Sequence, residues 1–383
     1  MALQLALSLQ INRKFRLSHL YDLDKIFSTS KRAVIVSHKD PDGDAFGSTL
    51  GLWHFLTNRY PELEATMIMP NTDLANDFHY LPGWYEIISY DRQKEDAERA
   101  IAGADLIVCL DFNNWDRLGR KSPLIQVLKQ AKEREGVRLI RIDHHEEPDA
   151  EAPADSVIHS DLAIVRPKSP STCEILVSLF ENLYDIVKEQ SSQYKFISKD
   201  CATCLYCGIM TDTINFSARN PRARTFERAA CLIMLGANNV WLYDKTYNEK
   251  PVDVYRLQAA VAASTEMEND AAWYIADQAM LQRYHYHNGY LEGMPDKALS
   301  ISGIELSFGA REEKPGTFKV GIRSPQKYDC VKIAKALNPN GGGHSYAANG
   351  TIYTDKKEDV ENAIRNILLH KEDFANRNTA NRR

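Results

Sequence analysis

The stretch VRLIRIDHHEEPD, residues 137–149, places three adjacent polar side chains directly after an apolar run. Residues 137–142 are rich in β-branched and aliphatic side chains and are typical of a buried strand. Asp143, His144 and His145 follow at once. Ligands of open α/β sheets bind at the carboxyl ends of the strands. An acid and two histidines at such an end therefore indicate a functional edge.

Three earlier apolar runs have the same character. They are RAVIVSH (32–38), ATMIMP (65–70) and ADLIVCLDF (104–112). Helical patterns cover residues 46–60 and 123–135, between these strands. Alternation of strands and helices predicts an α/β fold in which a parallel sheet is flanked by helices.

The pattern changes in the second half of the chain. Residues 171–262 are mostly helical in pattern, strand signals return at 299–308 and 317–324, and a helix is predicted at 329–337, with a further helical segment after Lys356. A length of 383 residues favours two domains. We predict an N-terminal parallel-sheet domain (1–240), a helical linker (241–262) and a smaller C-terminal α/β domain (263–383).

Composition excludes several classes of protein. The net charge is −5, which disfavours a binder of long duplex nucleic acid. No apolar run is long enough to span a bilayer, so we expect no membrane partner. The N-terminal segment lacks the basic start and the cleavage site of a signal peptide. Seven cysteines cannot all pair within one chain, and we interpret them as reduced thiols of a cytoplasmic protein.

Side chains that can bind metal ions follow three of the predicted strands and one predicted helix. The set comprises His38, Asp42, Asp44, Asp111, Asp143, His144, His145 and Asp212. Clustered carboxylates repel each other, and divalent cations reverse that cost. A donor set of aspartates and histidines without cysteine suits Mn²⁺ or Mg²⁺.

Each of these residues has a simpler interpretation. Asp42 could cap its own turn, Asp111 could cap a helix, and either histidine could be a solvated loop residue. These alternatives stay open for each residue taken singly. The placement of the whole set on one predicted edge favours the metal site.

The motifs, taken in order, resemble a known family. HKDPDGDA (38–45), LDF (110–112), DHH (143–145) and MTDT (210–213) are similar to the four motifs of the DHH phosphoesterase superfamily. GGGH (341–344) is similar to the signature of the DHHA1 domain, which follows in one branch of that superfamily. The resemblance implies that the N-terminal domain is a DHH domain and that the C-terminal domain is a substrate-binding DHHA1 domain.

The resemblance also implies two metal ions, usually Mn²⁺, with Mg²⁺ or another divalent ion as the alternative. One ion would take His38, Asp42 and Asp111, and the other would take Asp44, Asp111, His144 and Asp212. Asp111 would then bridge the ions and hold the water that, as hydroxide, attacks phosphorus. Asp143 would fix the tautomer of a histidine, and His145 would donate to the substrate phosphate.

In the second domain, the resemblance assigns the nucleotide part of the substrate to Arg323, Ser324, Gly341, Gly342, Gly343 and His344. His344 would in addition reach the scissile group as a catalytic residue. Arg219, in RNPRART (219–225), could either bind substrate phosphate or start a solvated helix. Asn349, Ile214 and Asn215 depart from the residues usual in the family and lie near the expected pocket, so they bear on which substrate is bound.

The function implied is Mn²⁺-dependent hydrolysis of small nucleotides: short single-stranded oligoribonucleotides, 3′-phosphoadenosine 5′-phosphate, or both. Cleavage of cyclic or linear dinucleotides is the alternative within the class, and a nucleotide sensor is the non-enzymatic alternative. A pyrophosphatase with these motifs would carry a lysine-rich second domain instead of GGGH. A processive exonuclease would need further DNA-binding domains. The family also implies a homodimer.

Two further motifs are interpreted as structural. Cys201, Cys204 and Cys207 are spaced like metal ligands, but they fall on one stripe of an apolar helix, so we predict that they pack in the core. His285 and His287 have no accompanying acid in the sequence, so a surface position is expected.

Overall fold

The computed structural model describes residues 15, 17–72, 78–147, 153–187, 197–218 and 220–376, without the side chains of Leu17, residues 185–187 and His344. Arg219 and the tail after Asn376 lie outside the described residues. Contacts divide the chain into two compact units, with the division between Glu249 and Lys250.

The first unit is built on a parallel sheet of six strands in the order β3-β2-β1-β4-β5-β6. The strands are β1 (Arg32–Val36), β2 (Glu64–Met69), β3 (Ile88–Ser89), β4 (Leu106–Leu110), β5 (Arg138–Asp143) and β6 (Leu162–Val165). The predicted parallel α/β sheet is therefore confirmed. Strands β3 and β6 were not predicted because they are only two and four residues long.

Helices cover both faces of this sheet. The α-helices of the first unit are α1 (Leu17–Thr29), α2 (Gly43–Arg59), α3 (Lys94–Gly103), α4 (Pro123–Lys132), α5 (Thr172–Val187), α6 (Lys199–Asp212), α7 (Ala223–Met234) and α8 (Asn239–Tyr243). Short 3₁₀-helices span Trp84–Glu86, Trp115–Leu118 and Ala154–Ser156, and a π-helix spans Asp244–Asn248. Alternate residues of β4 enter different cores: Val108 packs with α2, α5 and α6, and Ile107 packs with α3 and α4.

Helices α2 and α6 approach each other closely through glycine. A Cβ atom on Gly47 would lie 2.6 Å from the carbonyl oxygen of Cys204, and one on Gly51 would lie 2.5 Å from the Leu205 side chain. A Cβ atom on Gly43 would lie 2.3 Å from the Thr211 hydroxyl. The helices run antiparallel, so the first turn of α2 lies beside the last turn of α6.

The second unit contains a mixed sheet of six strands in the order β11-β12-β10-β9-β8-β7, in which only β8 and β9 pair in parallel. The strands are β7 (Glu266–Glu268), β8 (Ala271–Ala276), β9 (Leu306–Lys314), β10 (Thr317–Arg323), β11 (Gly342–His344) and β12 (Ala347–Tyr353). The helices are α9 (Val252–Ala263), α10 (Gln278–Arg283), α11 (Met294–Ala298), α12 (Cys330–Leu337), α13 (Lys357–Leu369) and a 3₁₀-helix (Lys371–Phe374). Helices α12 and α13 cover one face of the sheet.

One predicted strand was wrong in its position. The apolar segment 299–308 was predicted as a strand, but β9 begins at Leu306 and extends to Lys314. Residues before it form consecutive turns, in which the amide of Ile301 donates to Ala298 and that of Ile304 donates to Ile301. Gly303 adopts a φ of 86°, which favours a turn over a strand.

All seven cysteines are buried free thiols. Cys201, Cys204 and Cys207 lie in the core of the first unit, so their predicted packing role is confirmed. Burial raises the pKa of Cys207 to about 12, so this thiol stays protonated. Among the described residues, no helix combines the length and the apolar character that a membrane span requires.

Candidate metal centre

The loop between β1 and α2 supplies the first group of side chains. The carboxylate oxygen Oδ1 of Asp42 accepts hydrogen bonds from the amides of Asp44 and Ala45, both at 3.0 Å, and so caps α2. The predicted capping role of Asp42 therefore coexists with its place in the site. Nδ1 of His38 lies 2.9 Å from the carbonyl oxygen of Lys39. Nε2 of His38 is buried and has no hydrogen-bond partner, which leaves it available to a ligand.

Asp111 lies between two histidines, directly after β4. Its Oδ2 atom is 3.5 Å from Nε2 of His38, and its Oδ1 atom is 3.4 Å from Nε2 of His144. Its backbone adopts the left-handed conformation, with a φ of 65°, and its amide donates to the carbonyl oxygen of Ile142 at 3.1 Å. Asp111 caps no helix, because the short helix that follows begins after Asn114. The two carboxylate oxygens therefore face different histidines.

The side chains form adjoining sets of potential ligands. Donor atoms lie within 4.8 Å of one another in the sets His38, Asp42, Asp111; Asp44, His144, Asp212; and Asp111, His144, His145. In the second set, Nε2 of His144 is 3.4 Å from Asp212 and 4.0 Å from Asp44. Two atoms that bind the same ion, each at about 2.0–2.2 Å from it, are separated from each other by distances of this size. The arrangement could hold two neighbouring cations that share Asp111.

Asp143 holds His145 rather than His144. Its Oδ1 atom accepts a hydrogen bond from Nδ1 of His145 at 2.8 Å and one from the His145 amide at 3.1 Å. The carboxylate of Asp143 is fully buried. Nδ1 of His144 instead lies 3.4 Å from the carbonyl oxygen of Ser169. The adjacent histidines are therefore oriented by different partners.

Buried charge dominates the electrostatics of the centre. Burial and the charge of Asp111 raise the pKa of Asp44 well above its usual value. Burial lowers the pKa of His144. Burial alone would raise the pKa of Asp111, but the nearby histidines outweigh it and the pKa is lowered. Buried carboxylates this close together are a group that divalent cations stabilise.

Two residues of the site were not predicted from the sequence. Thr172, the first residue of α5, donates from its hydroxyl to Oδ1 of Asp111 at 3.0 Å. Arg117 is exposed, and its positive charge opposes protonation of His38 and His145; hydrogen bonds and charges of the nearby aspartates nevertheless outweigh burial and this charge, so the pKa of each histidine is raised. Its guanidinium makes no ion pair with any described carboxylate. A threonine at a helix start suggests only a cap, so the sequence carries no separate signal for the role of Thr172.

In the second unit, the residues predicted to bind substrate lie in or directly beside strands β10 and β11. Arg323 ends β10, and its Nε atom is 3.3 Å from Asp296. Ser324 is buried, and its hydroxyl accepts a hydrogen bond from the Tyr328 amide at 3.1 Å, which anchors the following loop. By strand register, His344 is opposite Ala347, which is opposite Arg323. His344 and Arg323 therefore share one cross-strand row.

Packing explains two of the three adjacent glycines. A Cβ atom on Gly341 would lie 2.4 Å from the carbonyl oxygen of Ala334, and one on Gly343 would lie 2.5 Å from that of Ala347. A Cβ atom on Gly342 would meet no atom within 4 Å. Close backbone approach therefore requires glycine at 341 and 343, and Gly342 is the position that is open to an approaching ligand.

Comparison with known proteins agrees with this geometry. The family described as the N-terminal domain of the DHH family matches residues 32–209, and the DHHA1 domain matches residues 259–369. The crystal structure of an exopolyphosphatase-related protein from Bacteroides fragilis superposes with a TM-score of 0.81 at 29% identity, covering 94% of this chain and 100% of that one.

Curated relatives are more distant in sequence. The probable bifunctional oligoribonuclease and PAP phosphatase NrnA of Streptococcus mutans is 24% identical, over 88% of this chain and 94% of that protein. The cyclic-di-AMP phosphodiesterase PdeA of Listeria monocytogenes is also 24% identical, over 84% of this chain but only 45% of that protein. The chain belongs to the DHH phosphoesterase family, as a DHH domain followed by a DHHA1 domain.

Proposed function

We propose that this protein hydrolyses phosphoester bonds of small nucleotides with two divalent cations, Mn²⁺ in preference to Mg²⁺. The observation that carries the proposal is the position of Asp111, whose two carboxylate oxygens face His38 and His144 separately. Asp42 completes the set around His38, and Asp44 and Asp212 complete the set around His144. Mixed aspartate and histidine donors suit Mn²⁺.

When bound, a pair of such ions lowers the pKa of a water molecule and offsets charge on phosphoryl oxygens. The residues of the chain orient the substrate. Asp143 fixes Nδ1 of His145, so His145 presents Nε2 to a phosphoryl oxygen. The hydrogen bond to Asp143 and the charge of Asp111 outweigh burial and raise the pKa of His145, which favours the protonated, donating ring. The unpaired charge of Arg117 favours an anionic substrate.

We propose that short oligoribonucleotides and 3′-phosphoadenosine 5′-phosphate are the substrates. The Streptococcus mutans relative is named for both activities, and this chain aligns with 94% of its length. The second unit would bind the nucleotide part through Arg323, Gly342 and His344. The open position of Gly342 supports this assignment. The domain limits that we propose stay as predicted: 1–240, 241–262 and 263–383.

A second candidate is a phosphodiesterase for cyclic or linear dinucleotides, which the Listeria monocytogenes relative supports. A panel of substrates with Mn²⁺ separates the candidates: 3′-phosphoadenosine 5′-phosphate, di- to pentanucleotides, cyclic dinucleotides and pyrophosphate. Turnover of the first two groups is expected. Turnover of cyclic dinucleotides alone would favour the second candidate, and turnover of pyrophosphate alone would overturn both.

Asp111→Ala tests the role of the shared carboxylate. Hydrolysis should fall by at least about 100-fold, because both cation sets lose a ligand. Asp96→Ala, which alters an exposed aspartate on α3, is the matched control and should keep full activity. If Asp111→Ala retained Mn²⁺-dependent turnover, the shared role would be refuted. Ligand binding without turnover by the wild-type protein would identify a nucleotide sensor instead.

We also propose a cytoplasmic setting and a homodimer. The seven buried free thiols support a reducing compartment. Cell fractionation tests the setting, and light scattering of the purified protein tests the oligomeric state. Recovery in an extracytoplasmic fraction, or a monomeric mass, would contradict the respective proposal.

A further inference from the structure

The start of helix α5 contacts both buried carboxylates of the centre. The amide of Thr172 donates to Oδ2 of Asp44 at 2.6 Å, and the amide of Cys173 donates to Oδ1 of Asp44 at 2.9 Å. The hydroxyl of Thr172 donates to Oδ1 of Asp111 at 3.0 Å. Thr172, Asp44 and Asp111 are all buried, with at most 1% of each residue exposed. One residue thus contacts a carboxylate in each of the two ligand sets.

The hydroxyl of Thr172 is not needed to cap α5. Ser171 does this, because its Oγ atom accepts a hydrogen bond from the Glu174 amide at 3.1 Å. Hydroxyls of other helical threonines bond to their own helix: in α6, Thr203 donates to Lys199 and Thr211 donates to Cys207, both four residues earlier. The hydroxyl of Thr172 is instead directed out of its helix, at Asp111.

The contact involves the oxygen of Asp111 that faces His144. A carboxylate oxygen has two lone pairs, so Oδ1 can accept the hydroxyl of Thr172 and still bind a cation. The hydrogen bond therefore selects one rotation of the Asp111 carboxylate, in which Oδ1 faces His144 and Oδ2 faces His38. Without it, the carboxylate could turn between the two histidines.

We infer that Thr172 is a positioning residue that couples the two cation sets, with its amide on Asp44 and its hydroxyl on Asp111. This inference rests on the proposed two-cation function. Partners that orient metal ligands in this way change metal affinity by about 10–100-fold when they are removed. The hydroxyl, and not the bulk of the side chain, carries the effect.

The test is Mn²⁺ titration of the metal-free full-length protein, followed by electron paramagnetic resonance. Free Mn²⁺ gives the affinity and the stoichiometry, and spin coupling between neighbouring ions reports the pair. Thr172→Val removes the hydroxyl at nearly constant volume, and Thr172→Ala removes the hydroxyl together with the branched side chain. Thr172→Ser keeps the hydroxyl. Thr203→Val is the matched control, because Thr203 is a buried helical threonine that contacts no carboxylate of the site.

Thr172→Val and Thr172→Ala should weaken binding of the ion pair by at least about 10-fold and reduce the spin-coupled signal. Thr172→Ser and Thr203→Val should match the wild type. Equal affinity in Thr172→Val and wild type would overturn the inference and leave the proposed function intact. Absence of Mn²⁺ binding by the wild type would instead remove the proposed function. If only the valine and alanine variants failed to fold, the hydroxyl would belong to folding and the inference would also fail.

Discussion

Several residues near the centre adopt backbone conformations that L-amino acids avoid. Asp111 has a φ of 65°, and Ile214 has a φ of 48° and begins three consecutive left-handed residues. This conformation costs a non-glycine residue about 1–2 kcal/mol. For a β-branched residue such as Ile214 it is a genuine outlier. Such strain persists only where the surrounding structure imposes it. Asp111 belongs to the ligand sets, and Ile214 is two residues after Asp212.

Replacement of Ile214 by glycine should therefore stabilise the protein. The strain is relieved, and little burial is lost because Ile214 is 52% exposed. After the entropic cost of glycine, we expect the free energy of unfolding to rise by about 0.5–1 kcal/mol. Urea denaturation monitored by circular dichroism measures it.

Ile233→Gly is the matched control for this prediction, because Ile233 is an exposed isoleucine in the right-handed helix α7. There glycine should lower the free energy of unfolding by about 1 kcal/mol. A decrease in both variants would show that Ile214 is not strained.

The sequence predicted individual site residues where chemistry and position coincide. Asp111, His144 and Asp212 were predicted because acids and histidines follow apolar segments. Thr172 was not, because its hydroxyl acts across 61 positions of sequence on Asp111. Asp143 was predicted to fix the tautomer of a histidine, but only the structure shows that it holds the ring of His145 and not that of His144.

At the scale of elements, the contact between α2 and α6 brings the carboxylates together. Asp44 lies in the first turn of α2 and Asp212 ends α6. The antiparallel approach through Gly43, Gly47 and Gly51 places these two turns side by side. The short distance between the helices therefore determines how closely Asp44 and Asp212 approach each other.

Gly47→Ala should push the two helices apart. The added Cβ would lie 2.6 Å from the main-chain oxygen of Cys204, which cannot move aside as a side chain can. We expect the free energy of unfolding to fall by about 1–3 kcal/mol, with weaker Mn²⁺ binding. Thermal unfolding and Mn²⁺ titration measure the two effects.

Gly103→Ala provides the comparison, since Gly103 is also helical and an added Cβ would meet only the flexible end of Arg32. Its stability should be unchanged or slightly raised. Equal stability of the Gly47 and Gly103 variants would contradict a close helix contact.

The strands that were predicted from the sequence differ in apolar content from those that were not predicted or were misplaced. Strands β1, β4 and β5 are buried on both faces and read as continuous apolar runs, so they were predicted. Strand β9 ends in the charged residues 311–314, and its exposed part has no apolar signal. Strand β12 contains Asn349 and Gly350, residues with low strand propensity, and is fixed by its pairing with β10.

At the scale of the whole molecule, each unit has its own hydrophobic core. In the second unit, Asp270 connects distant segments. Its carboxylate accepts hydrogen bonds from Lys327 at 2.5 Å, from Tyr328 at 2.9 Å and from Lys371. Its carbonyl oxygen accepts the amides of Glu305 and Leu306. The turn before β8 is thus joined to the start of β9 and to the C-terminal 3₁₀-helix.

Asp270→Asn should destabilise the second unit by about 1–3 kcal/mol, because hydrogen bonds to a charged acceptor are lost. Burial alone would raise the pKa of Asp270, but hydrogen bonds from Lys327, Lys371 and Tyr328 lower it well below 3.8. The stabilisation is therefore complete above pH 3.8 and is lost as the pH falls below it.

Hydrogen exchange, followed by mass spectrometry, locates this effect. Faster exchange is expected in β8 and β9 of Asp270→Asn, and the difference from wild type should shrink in acid. Asp373→Asn, an exposed aspartate nearby, should exchange like the wild type. Equal loss of protection in β1 and β4 would contradict a local role for Asp270.

The proposed ligands are scattered along the first unit, from His38 to Asp212. Synthesis proceeds from the N-terminus, so Asp212 is the last of them to leave the ribosome. A nascent or prematurely terminated chain that ends before this residue lacks a complete binding set for the second cation. In the proposed two-cation site, the ligand set of the second cation is therefore complete only once Asp212 has been translated, and a chain that ends earlier is expected to lack nucleotide hydrolysis.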